Sequence, residues 1–152
     1  IFLFVNSIVW KALNQPAIFS GVEESVKEKY GGAFLSEHER AEGKKKIDSV
    51  MTLERGFLNA DLTLEQLAER TNMPARKLSQ FINEYYNQSF FDFINSYRIE
   101  EAQRILRDST DAKLTVLEVM YQSGFNSKSS FNTLFKKKTG KTPSEFRRDL
   151  QK

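Results

Sequence analysis

Residues 62–71 read LTLEQLAERT and residues 114–124 read LTVLEVMYQSG, two stretches 52 positions apart that open alike. Thr63 with Gln66, and Thr115 with Glu118, have the spacing of a capping box, in which the threonine hydroxyl and the residue three further on satisfy each other's backbone N–H groups. Each box opens a short amphipathic helix. At matching places the chain then has Asn72 and Gly124, the residue types that most readily accept the positive φ of a tight turn. Beyond the turns come PARKLSQFINEYY (74–86) and NSKSSFNTLFKKK (126–138), where Leu78, Phe81 and Ile82 match Phe131, Leu134 and Phe135 at an offset of 53. The extra residue puts a turn or helix start longer by one in the second copy. An internal repeat of helix, short turn, helix decides the fold class: all-α, with two helix-turn-helix units.

Between the copies, Phe90, Phe91, Phe93, Ile94, Tyr97, Ile99, Ala102, Ile105 and Leu106 predict an amphipathic helix from about Ser89 to Arg107. At about 1.5 Å per residue it sets a fixed separation of nearly 30 Å between the units. Upstream, Ser36 with Glu39 is another capping box, opening a long charged helix over 36–57 whose apolar stripe is Ile47, Val50, Met51, Leu53 and Phe57. That stripe is expected to pack on the following domain or on the same helix of a second copy. Gly43 inside the helix weakens it by about 1 kcal/mol relative to Ala. Residues 14–35, with Pro16, Gly21, Gly31 and Gly32, read as a linker. Residues 1–10, IFLFVNSIVW, have eight apolar residues in ten, about half of what crosses a bilayer. Two readings stand for them: the cytoplasmic end of a transmembrane helix, with Trp10 in the interfacial belt, or a buried terminal segment of an upstream domain. The organisation expected is therefore an apolar segment (1–12), a linker with one charged helix (13–57) and a double helix-turn-helix domain of about seven helices (58–152).

The 152 residues include no Cys and one His, His38, which excludes disulfide frameworks, thiol nucleophiles and Cys/His zinc sites. No carboxylate pair stands in a catalytic arrangement, and Gly140-Lys141-Thr142 lacks the glycine and strand of a phosphate loop. No enzyme, cofactor or metal is expected. Charge is distributed unevenly. Residues 1–60 are balanced at eight of each sign, 61–112 carry −3, and 113–152 carry nine Lys/Arg against three Asp/Glu, a net +6. A basic module of this kind suits a polyanion.

The stretch from about Asp61 to Arg148 resembles the DNA-binding domain of the AraC/XylS family of bacterial transcription regulators. LTLEQLAERTNMPARKLSQFIN, DFINSYRIEEAQRIL and VLEVMYQSGFNSKSSFNTLFKKKTGKTPSEFR carry the resemblance, with Gly124, Phe125, Phe131, Phe135, Gly140, Pro143 and Phe146 in the family's spacing. It implies two recognition helices entering successive major grooves on one face of the duplex. The order of apolar stretch, linker and domain also looks like members whose regulatory half lies in the bacterial inner membrane, with the DNA-binding portion in the cytoplasm.

Reading base edges takes hydrogen-bonding side chains on a helix in the major groove, and holding the helix there takes cations and backbone amides on phosphates. The resemblance and the polar helix faces together give Arg76, Ser79, Gln80, Lys128, Ser129, Asn132 and Thr133 as base-reading candidates. Arg76 suits guanine and Gln80 adenine, while Lys77 suits base or phosphate. Phosphate candidates are Lys136, Lys137, Lys138, Lys141, Arg147 and Arg148, beside a third capped helix start at Thr142, Pro143 and Glu145. The Lys136–Lys138 run also complements the macrodipole at its helix end. The partners expected are double-stranded DNA, RNA polymerase, a second copy of the chain, and a membrane through the segment at and upstream of Ile1. The competing reading is a protein-interaction module with an incidental basic face.

Overall fold

A computed structural model of the chain describes residues 36–109 and 113–150. Among them are seven α-helices and no strand: α1 Glu37–Asp48, α2 Leu64–Thr71, α3 Ala75–Tyr86, α4 Phe90–Asp108, α5 Val116–Gln122, α6 Lys128–Thr139 and α7 Pro143–Leu150. A π-helical turn (Ser49–Leu53) and a 3-10 turn (Gly56–Leu58) lead from α1 to α2. The charged helix is thus one of the seven and does not precede them.

The repeat holds at the level of single hydrogen bonds. Thr63 accepts from the N–H of Gln66 at 3.2 Å and Thr115 from that of Glu118 at 3.1 Å, and in both boxes the second side chain reaches back to the threonine N–H. At the other end, Met73 N–H donates to Ala68 O at 2.9 Å and Phe125 N–H to Met120 O at 3.1 Å, the same closing bond 52 residues apart. Asn72 and Gly124 stand at φ of 50° and 86°. One buried hydroxyl precedes each: Thr71 donates to Leu67 O and Ser123 to Val119 O, both at 2.8 Å. The extra residue falls after the turn, since α3 begins at Ala75 and α6 at Lys128. Ser127 caps α6, accepting from Ser130 N–H, whereas Pro74 precedes α3 with no side-chain cap.

Two cores result. The first gathers Ile47, Val50, Met51, Phe57, Leu62, Leu67, Ala68, Leu78, Phe81, Ile82, Phe93 and Ile94, and the second Ile99, Ala102, Leu106, Val119, Met120, Phe125, Phe131 and Phe135. The central helix α4, capped by Ser89, gives its first half to one core and its second half to the other. Hydrophobic burial therefore welds both units to a single rod.

The 36–57 segment differs from the expected charged linker helix in two respects. Its stripe packs on the helices that follow, so Ile47, Val50, Met51 and Phe57 complete the first core and are not part of a linker. It is also not one regular helix: α1 ends at Asp48, and the π-helical turn slips the register so that Leu53, expected inside, is 82% exposed. Residues 1–12 and most of the linker, including the apolar segment, lie outside the described residues.

Candidate nucleic-acid interface

The second helix of each unit buries one face and presents the other. On α3, Leu78, Phe81 and Ile82 are fully buried, and the spacing 76, 79, 80, 83 puts Arg76, Ser79, Gln80 and Asn83 along the opposite side. Arg76 is exposed and makes no ion pair among the described residues. Gln80 donates one Nε2–H to Glu84 at 2.7 Å, which leaves its other N–H and its Oε1 for a base edge. On α6, Phe131 and Phe135 are buried, while Lys128, Ser129 and Thr133 are exposed and Asn132 is half-buried. The two helices therefore carry equivalent polar faces, fixed by equivalent turns.

Lys77 lies apart from this set. Its ammonium pairs with Glu39 of α1 at 2.6 Å, pinning the charged helix to α3. That contact, with the Ser36 backbone and hydroxyl, holds the Glu39 carboxyl down at about 2. The sequence offers Lys77 as a base or phosphate ligand, and the structure shows it half-exposed in a pair with Glu39.

The phosphate candidates divide likewise. Lys136, Lys137 and Lys138 are exposed on the last turn of α6, which Gly140 closes at φ of 77°. Just beyond, Thr142 caps α7, with Glu145 accepting from its N–H at 2.8 Å and its hydroxyl at 2.9 Å. These hydrogen bonds, aided by Lys136 and Arg148, hold the Glu145 carboxyl below the usual range. Lys136 and Arg148 thus stand near Glu145 at the start of α7, where Thr142 already takes the N–H groups of Glu145 and Phe146 and Pro143 has none. Lys141 is paired with Asp149 at 2.7 Å. Arg147 is half-buried, with its Nη2 enclosed, and its charge reaches Glu118 on α5.

Sequence reasoning missed two residues on α4. Arg98 and Glu101 sit in the apolar seam of the helix, between Ile94 and Ala102, and both are drawn into contacts with residues 55–60. Their signal was a charge at a core position of an amphipathic helix.

A family model described as a helix-turn-helix domain matches residues 67–149, more than half of the chain. The chain belongs to this helix-turn-helix family. Its fold is that of AraC-type DNA-binding domains with two such units. An uncharacterized HTH-type transcriptional regulator of Staphylococcus aureus is 32% identical over 104 residues, covering 68% of this chain and 14% of that protein. The chain spans only part of the length of the curated relatives it matches, from 14% to 57%. Among solved structures, the C-terminal domain of AraT, a response regulator from Geobacillus stearothermophilus, superimposes with a TM-score of 0.60 at 27% identity, covering 77% of this chain and 88% of that one. The DNA-binding domain of AdpA, a global transcriptional factor solved in complex with a target DNA, gives 0.61 at 20% identity, covering 72% and 92%, and shares the fold. Among the described residues no helix is long and apolar enough to cross a membrane, and no cluster of side chains could hold a metal ion.

Proposed function

We propose that the chain binds double-stranded DNA sequence-specifically as the DNA-reading part of a bacterial transcription regulator, with α3 and α6 in successive major grooves. The observation that carries this reading is the equivalence of the two units: matching caps, turns and buried faces leave matching polar faces on two helices attached to one rod. In this proposal Arg76, Ser79 and Gln80 read one block of bases, and Lys128, Ser129, Asn132 and Thr133 the other. Lys136, Lys137, Lys138 and Arg148 hold phosphates. Lys141 contributes there by leaving Asp149, and Arg147 by turning out of its half-buried position. Membership in a family of DNA-binding regulators supports the reading, as does the target DNA held by AdpA.

The test is the salt dependence of binding to random duplex. With four or more phosphate contacts, log K should fall against log salt with a slope of about −4 or steeper. A flat dependence would favour a protein partner and overturn the proposal. Three extensions belong to the same reading: contact with RNA polymerase, pairing with a second copy, and attachment through residues 1–12 to a membrane-spanning segment. Fractionation of the natural full-length product with the membrane pellet is the result expected of the last, and recovery in the soluble fraction overturns that extension alone.

A further inference from the structure

Contacts between the two units converge on residues 55–60. Arg98, midway along α4, donates from Nε to the Phe57 carbonyl at 2.8 Å and from Nη2 to the Asn59 carbonyl at 2.8 Å, with a longer bond to the Ala60 carbonyl at 3.4 Å. The same guanidinium stands 5.8 Å from the centroid of the Phe125 ring, which belongs to the second unit's core. On the next turn of α4, the buried Glu101 pairs with Arg55 and, at 2.8 Å, with Arg104. From the other side, the glycine turn of the second unit abuts the same loop: a Cβ at Gly124 would come within 2.6 Å of the Phe57 carbonyl oxygen. Residues 55–60 are therefore attached to the first core through Phe57, clamped to α4 by Arg98, and backed against the turn between α5 and α6.

A single helix fixes the distance between two bodies mounted on it better than their rotation about it, because helices bend and side-chain packing yields first. A second connection closes the frame. We infer that Arg98 is a positioning residue for recognition: by clamping the 57–60 carbonyls beside Phe125 it fixes α3 relative to α6, and so sets the spacing at which two blocks of bases are read. The inference rests on the DNA reading proposed above. A planar guanidinium with two donors on two carbonyls fixes orientation as well as distance, which one ammonium does not. Moving a block by one base pair rotates it by about 36° around the duplex, so a rigid pair of readers rejects the shift and a loosened pair accepts it.

The experiment uses the 152-residue chain and duplexes in which the two selected blocks are moved apart or together by one or two base pairs. The original chain should lose about tenfold in affinity for each shift. Arg98→Gln should bind all spacings within about threefold of each other, with affinity for the α3 block alone within about twofold of the original, and Arg98→Lys should lie between. If Arg98→Gln weakens every spacing by one common factor, the inference is overturned. A DNA-free readout separates it from the DNA reading. The chain has no cysteine, so cysteines introduced at Asn83 and Thr133 carry spin labels without background. Their distance distribution should be narrow in the parent and broad with Arg98→Gln at unchanged circular dichroism. An unchanged distribution, or a parent with no spacing preference, overturns the inference and leaves the DNA reading intact, whereas a parent that binds no duplex removes both. Should Arg98→Gln fail to fold, Phe125→Leu, which removes the ring beside the guanidinium, should broaden the distribution in the same direction, and a failure to do so overturns the inference equally.

Discussion

Arg76 and Gly43 show how differently a residue's role can be written in a sequence. Arg76 stands one residue into α3, exposed and without an ion pair among the described residues, where a guanidinium can present two donors to a guanine edge. Arg76→Ala should cost about 1–3 kcal/mol of binding to the selected site and relax the preference at one base, as measured by competition among single-base variants. Uniform weakening at every base would assign Arg76 to a phosphate instead. Its exposed position was legible because a solvent-side helix position is set by its own four or five neighbours. Gly43 was not legible. In isolation it weakens α1, yet a Cβ there would come within 2.5 Å of the Phe81 ring, which is fully buried 38 positions away in sequence. Gly43→Ala gains helix propensity but overpacks the first core, and should destabilise by about 1–3 kcal/mol in denaturant unfolding. A stabilised variant would contradict this placement of α1 on α3.

At the scale of elements, boundaries set by local chemistry were readable and those set by distant contacts were not. The capping boxes at Ser36, Thr63, Thr115 and Thr142 and the left-handed turns at Asn72 and Gly124 involve partners within a few residues. The break after Asp48 and the left-handed Arg55, at φ of 51°, have no such local signal. Arg55 is held from across the molecule by Glu101. The docking of α1 on α3 has a pH signature. Because Lys77 first, then Ser36, lowers the Glu39 carboxyl from its usual 4.5 to about 2, its stabilising effect is present above pH 4.5 and is lost as pH falls toward 2. The parent should therefore exceed Lys77→Met in Tm at pH 6 by a margin that closes across that window, and a margin constant down to pH 2 would contradict the pairing. The last turn of α6 has a salt signature instead. Lys137→Gln should weaken all DNA sequences alike and reduce the salt slope by about one.

The described residues form two small cores on one rod, and the surplus positive charge of the sequence falls in residues 113–152. The repeat and the charge gradient were legible, since both are properties of the chain as a string. The bracing of one unit against the other by Arg98 and Gly124 was not, because it depends on which side of α4 each unit settles. If both units read bases from one face of the duplex, selection of bound duplexes from a random library by the 152-residue chain, at near-physiological salt, tests that most directly. Two short conserved blocks about one helical turn apart, roughly 10 base pairs centre to centre, are the expected result. A single enriched block, or no enrichment with salt-insensitive binding, would contradict it.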